Sequence, residues 1–283
     1  ERLGCDGEPV IGVYGRSAGV LRTFGLIQPD RGIQRHSPKR IRDAIRKQIQ
    51  LTASALAASA SDANLLFERA SLRAWLGQFD RAASDCDRAA ALWQDDSSLY
   101  LPETLSAVVH LLAGDPGLYL RASDHALHRY AEGLDWQLLP VLRTYLLAQR
   151  PQSDSILVGR MVRALEKKGS SAPAFLWFMA FPYGLAEYRQ QHLAPAEQWF
   201  ARTSETAPGG PIKLAADLFR AMALERLDRH QEALRLFQQA RDVLQPSDPD
   251  TLLRHYPRDL LEWLTALAAF KEAESTIPAP DAN

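Results

Sequence analysis

Cysteine is scarce: Cys5 and Cys86 are the only two in 283 residues. They lie far apart with no ligand spacing around them, which excludes a disulfide framework and a thiolate metal site. Two free thiols in a reducing compartment are expected, and with them a cytoplasmic location. Long apolar runs are also missing, since none approaches the ~20 residues needed to span a bilayer. Nor is there an excess of either charge: 33 basic against 34 acidic residues leave a net −1. That balance gives no global electrostatic case for nucleic acid or an acidic membrane surface. The one local exception, Lys39-Arg40-Ile41-Arg42 through Arg46-Lys47, reads as the solvated start of a helix. There is no P-loop, dinucleotide fingerprint or zinc-ribbon spacing, so neither cofactor nor metal is expected. No signal-peptide pattern opens the chain, which also does not begin with Met. Glu1 is therefore expected to be a processing boundary, with a removed leader or upstream domain left open.

Glycine and proline crowd into the first 35 residues and thin out afterwards. Pro9–Tyr14 reads as a short strand and Val20–Phe24 as a second apolar element, with Gly15, Gly19, Gly25, Pro29 and Gly32 around them. Gly15-Arg16-Ser17-Ala18-Gly19 fits G-x-S-x-G, the pattern that strains a nucleophilic serine onto a strand-to-helix turn. Only 14 residues precede it, too few for the sheet and oxyanion loop such a site requires, so Ser17 is read as part of a glycine-rich turn. Ser37-Pro38 then looks like an N-cap followed by Pro at the first helical position, opening a helix to about Ala60.

From residue 62 onward one pattern repeats: apolar helix, tight turn, second helix. The segments LLFERASLRAWLGQFDRAASDCDRAAALWQ, AFPYGLAEYRQQHLAPAEQWFARTSETAP and DLFRAMALERLDRHQEALRLFQQARDVLQP align on Ala70/Gly184/Ala221, on Ala82/Ala196/Ala233 and on Cys86/Phe200/Phe237. The spacing between the first two leaves room for two more pairs, for which Leu101–Gly114 with Leu118–Arg129 and Trp136–Arg150 with Ile156–Lys168 are candidates. Five helix pairs in a stacked array are expected.

The aligned residues resemble the tetratricopeptide (TPR) repeat. The family's small residue in the first helix matches Ala70, Gly184 and Ala221, and its early small residue in the second helix matches Ala82, Ala196 and Ala233. Its aromatic matches Phe200 and Phe237, its later small residue Ala89 and Ala240, and its terminal proline Pro208. Small residues let paired helices approach, while the aromatic fills the groove between repeats. Thr203 and Cys86 depart from the pattern, and the two middle pairs match it poorly. At a looser level the chain is similar to TPR arms at the C-terminal end of large bacterial multidomain proteins.

The resemblance implies an all-α, right-handed superhelical array of about five TPR-like pairs. A C-terminal capping helix from about Thr251 to Ala273 would close it, and a short β or irregular segment would precede it. The expected division is 1–36 as that segment, 37–61 as a connecting helix, 62–275 as the array and 276–283 as a disordered tail. In such arrays the first helix of each pair lines a concave groove. The inward register contains Asn64, Phe67, Ser71 and Trp75, then Phe178, Phe181, Leu185, Tyr188 and Arg189, then Leu218, Met222, Glu225 and Arg226. Of these, Trp75, Tyr188, Arg189, Glu225 and Arg226 are the candidate partner-binding residues, because aromatic and Arg side chains make good interface anchors. Phe67 and Ser71 stand where the chaperone-tail-binding subclass has Lys and Asn, which argues against that specialised function.

The remaining chemistry is sparse. Asp124, His125 and His128 share a helical turn without further ligands at a recognisable spacing, and Glu103, Glu187 and Glu225 sit singly on separate helices. Pro182 is expected to kink its helix near Phe178, beside Trp177 and Tyr183. The functional expectation is a non-catalytic module that binds a protein or peptide, not nucleic acid. The alternative is an accessory arm of a multidomain enzyme or regulator whose catalytic part lies upstream of residue 1.

Overall fold

The computed structural model describes residues 12–17, 21–27, 37–93, 101–130, 135–150, 158–159, 176–207, 209–244, 250–254 and 259–278. Strands β1 (Gly12–Ser17) and β2 (Leu21–Ile27) form an antiparallel hairpin in which Gly15 faces Phe24 and Ser17 faces Leu21. Ser17 thus ends a strand that turns back into another strand, not into the helix a nucleophile elbow requires.

Helix α1 (Pro38–Ala58) begins with proline at its first position after Ser37, although the Ser37 hydroxyl makes no capping bond. It packs on α2 (Ala63–Trp75), which pairs with α3 (Phe79–Leu92). The second pair is α4 (Leu101–Ala113) with α5 (Pro116–Tyr130). The third begins with α6 (Asp135–Leu146); of its expected partner over 156–168 only Val158 and Gly159 fall within the described residues, both helical. The fourth is α7 (Leu176–Arg189) with α8 (Leu193–Thr206), and the fifth is α9 (Pro211–Glu225) with α10 (His230–Leu244). Successive helices pack in chain order, as a stacked array requires.

One turn recurs at the end of four first helices. Gly77, Gly114, Gln191 and Asp228 adopt positive φ, and the next residue in each case donates its N–H five residues back: Gln78 to Arg73, Asp115 to His110, His192 to Glu187 and Arg229 to Leu224. This left-handed closure satisfies carbonyls that a helix end leaves bare. Positions 77 and 114 are 37 apart, as are 191 and 228, so the turn marks the repeat through the second pair, where side-chain matching is poor.

The aligned small residues are the contact points. Ala70, Ala221, Ala82, Ala196 and Ala233 are fully buried, and a Cβ added at Gly184 would come within 2.6 Å of the Phe200 ring. Phe200 stacks on Phe219 of the following first helix at 5.6 Å, filling the groove between repeats. Cys86, at the aromatic position of the first pair, is a buried free thiol, and burial pushes it well above its ordinary pKa, with Asp87 and Asp85 adding to the shift. Pro182 and Pro140 lie inside helices that run on through them.

The C-terminal region differs from the single capping helix expected over 251–273. The described residues form a short α11 (Thr251–Arg254) and a separate α12 (Leu260–Thr276) that starts at the N-cap Asp259, with Ile277 also buried. Helix α12 packs along α9 and reaches α2, α4 and α10, and it carries ionic contacts to α6 and α7. It therefore lies against the first helices of the pairs, on the face where the groove was expected. The reason is compositional. Leu261, Trp263, Leu264, Ala266, Ala268, Ala269, Phe270 and Ala273 are buried around nearly its whole circumference, and a helix apolar on all sides belongs in an interior.

Candidate functional site

The C-terminal ends of the first helices in pairs two to five converge on the second half of α12 and leave a half-open cavity of about 680 Å3. Its wall includes Leu111 and Leu112 at the end of α4, Leu147 and Gln149 after α6, Tyr188, Arg189 and Gln191 at the end of α7, and Arg226 after α9. Helix α12 supplies Lys271, Glu272, Ser275 and Thr276.

The floor is rigid because its polar groups are matched. Arg189 donates to both oxygens of Glu272, at 2.5 and 2.8 Å, while its Nε donates to the Leu146 carbonyl at 2.9 Å and a terminal nitrogen donates to that of Leu147. Burial works against the Arg189 charge, but the hydrogen bonds and charge of Glu272 outweigh it and hold the proton more tightly than usual. Lys271 crosses to the end of α4 and donates to the Leu112 carbonyl at 3.0 Å. Tyr119 secures the segment after α6: its hydroxyl donates to the Thr144 carbonyl at 2.8 Å and accepts from the Ala148 N–H at 3.0 Å. Burial pushes the Tyr119 phenol up to about 12.

Tyr188 forms an aromatic wall behind this floor. It is 4% exposed and packs edge-on to Phe219 at 5.7 Å, and burial raises its phenol, with Glu272 adding and a hydrogen bond from Arg226 opposing. The guanidinium of Arg226 lies over the Tyr188 ring at 5.4 Å and is exposed.

Three of the five expected partner-binding residues, Tyr188, Arg189 and Arg226, therefore meet at one cavity, and two do not. Trp75 is buried in the first pair, and Glu225 bonds His230 across a turn at 2.9 Å. Neither Tyr188 nor Arg189 stands free on an open groove as expected: Tyr188 is buried against Phe200 and Phe219, and Arg189 is neutralised by Glu272 of α12. Phe181 and Leu185 are core residues, and Tyr183 packs edge-on against Trp199 at 5.3 Å; the Trp177 side chain lies outside the described residues. Sequence reasoning missed Lys271 and Glu272, whose only local signal is their place where the apolar run of α12 gives way to a polar last turn.

A second, smaller cavity of about 270 Å3 lies between α3, α4 and α5. Asp87 accepts from the Ser106 hydroxyl at 2.5 Å and contacts His110 Nε2 at 3.1 Å, while Glu103 is held by Arg129 at 2.6 Å with His125 3.6 Å away. Ser106 donates to the Asp87 carboxylate, a weak base held below its ordinary pKa, and not to the imidazole. His128 bonds the backbone of its own helix at Asp124. Among the described residues no group of three or more His, Cys, Asp or Glu side chains has metal-holding geometry, and no helix is long and apolar enough to cross a membrane.

No protein-family model matches the chain, and no curated protein sequence matches it. Among solved structures it is similar to the C-terminal part of a TPR repeat-containing protein from Cytophaga hutchinsonii, at 13% identity over 85% of this chain and 96% of that one, with a TM-score of 0.31.

Proposed function

We propose that the chain is a non-catalytic interaction module, a helical-repeat scaffold that binds a protein or peptide partner at the cavity on its rim. The observation that supports this reading is the convergence of Tyr188, Arg189 and Arg226 with the α12 side chains at an accessible opening, where the inner face proper is already filled by α12. Ends of packed helices offer a rigid frame, and an aromatic wall with an Arg handle suits an anchor for a partner segment. Trp75 and Glu225, away from the cavity, would contribute through the packing and turn geometry of their own pairs. The reading extends to the chain serving as the binding arm of a larger enzyme or regulator.

The test is site-specific photo-crosslinking in the source cell. A benzoylphenylalanine at Gln149, on the rim, is expected to give a discrete crosslinked partner, and the same probe at the exposed Val243 of α10 is expected to give none. Equal labelling from both positions, or none from either, would remove the rim as the binding surface.

A further inference from the structure

We infer that the rim cavity binds an anionic group, a carboxylate or a phosphate, gripped between Arg226 and Lys271. The inference rests on the rim being the binding surface and adds the chemistry of what it takes. Four charged side chains line the cavity: Arg189, Arg226, Lys271 and Glu272. Arg189 and Glu272 cancel each other in a two-point pair, and two further donors of Arg189 go to the Leu146 and Leu147 carbonyls.

That leaves two cations with no acidic partner among the described residues. Arg226 meets only the Tyr188 ring and hydroxyl. Lys271 gives one of its three donors to Leu112, which leaves two for a ligand. Both side chains are exposed.

The helix-end carbonyls around the cavity are, by contrast, largely taken up. Helix C-termini carry partial negative charge that repels an anion when bare. Here the ends of α4 and α6 are covered by Lys271 and Arg189, and those of α7 and α9 close on themselves through the His192 and Arg229 N–H groups. Beside the neutral side chains of Gln149, Gln191, Ser275 and Thr276, the unpaired charge of the wall is therefore the two positive groups of Arg226 and Lys271. A complementary ligand presents acceptors and negative charge. Its volume, about 680 Å3, lies within the range of small-molecule pockets. Free polyanions and the acidic side chains of a partner segment share this chemistry.

Calorimetric titration of the whole chain at low ionic strength separates the two sources. The probes are citrate, inorganic pyrophosphate, and a blocked Glu-Leu-Glu-Glu peptide with its Gln-Leu-Gln-Gln counterpart. Saturable one-to-one binding is expected for at least one anionic probe. The Arg226→Gln/Lys271→Gln double variant should weaken it at least tenfold, the Arg226→Gln single variant should weaken it in part, and the neutral peptide should not bind. Binding by citrate or pyrophosphate assigns a free anion, and binding by the acidic peptide alone assigns partner side chains. Arg226 is an exposed residue, so its single variant reads the site even where the double variant melts early. No saturable binding by any anionic probe, or binding unchanged in the variants, overturns the assignment. Rim crosslinks in cells alongside that result would leave the interaction module standing and remove only its anion preference.

Discussion

Arg189 and Glu272 are 83 residues apart in the chain and form a two-point ion pair that fastens the fourth first helix to the C-terminal helix. The Arg189 side chain is 9% exposed and that of Glu272 25%. Removing one partner of a buried pair strands the other charge, which costs far more than the pair contributes. Glu272→Gln is expected to destabilise the fold by about 3 kcal/mol, the lower end of that range because Glu272 retains some water. Urea unfolding of parent and variant measures it; a difference near zero would mean that the pair is solvated.

Gly184 faces the Phe200 ring so closely that a methyl group has nowhere to go. Phe200 cannot yield, being buried between Phe181, Tyr188 and Phe219. Gly184→Ala should therefore overpack the fourth pair and cost about 1–3 kcal/mol, despite the better helix propensity of alanine. Thermal melts decide between the two effects: a raised melting temperature would show that the ring gives way.

Asp87 supplies a pH dependence. Burial alone would raise its carboxyl, but hydrogen bonds from His110 and Ser106 outweigh it and hold the pKa below the ordinary 3.8. A carboxyl depressed in the folded state contributes stability that is present above its unfolded pKa and lost as pH falls through the folded one. Asp87→Asn should thus be less stable than the parent at neutral pH. The gap should begin to narrow as pH falls below about 3.8 and close once pH has passed the depressed folded pKa, where the parent carboxyl is protonated too. Denaturant melts across that range read the effect, and a constant gap would assign it to something other than titration.

Ser17, at the end of a hairpin strand, has no strand-to-helix turn to expose it as a nucleophile. A serine-reactive fluorophosphonate should leave the chain unlabelled. Stoichiometric labelling that disappears in Ser17→Ala would contradict the non-catalytic reading.

The local grammar of the array was legible in the sequence. Ala82, Ala196 and Ala233 mark the close contacts, Phe200 fills the inter-repeat groove, and Ser37-Pro38 marks the start of α1. Each of these depends on neighbours within one or two helices, so spacing reveals it. The position of α12 depends instead on contacts across the whole chain, such as Lys271 reaching Leu112 over 159 residues, and no local period encodes them. A clue was present in Leu260-Leu261-Glu262-Trp263-Leu264-Thr265-Ala266-Leu267, a stretch too apolar around its circumference for a cap with a solvent-facing side. The cavity was half legible: its register residues on the first helices could be named, but their partners on α12 could not.

Placing the last helix against the first helices of the pairs also dictates an order of events during synthesis. Repeats ordinarily complete themselves as they emerge, each needing only its neighbour. Here the first, second and fifth pairs leave the ribosome with a flank that α12 cannot yet cover, because it is translated after all of them. The nascent array is thus sticky until α12 arrives, and it closes in one late step. A ribosome stalled before residue 260 would display a longer-lived chaperone substrate than one stalled just beyond residue 278 plus the length of the exit tunnel.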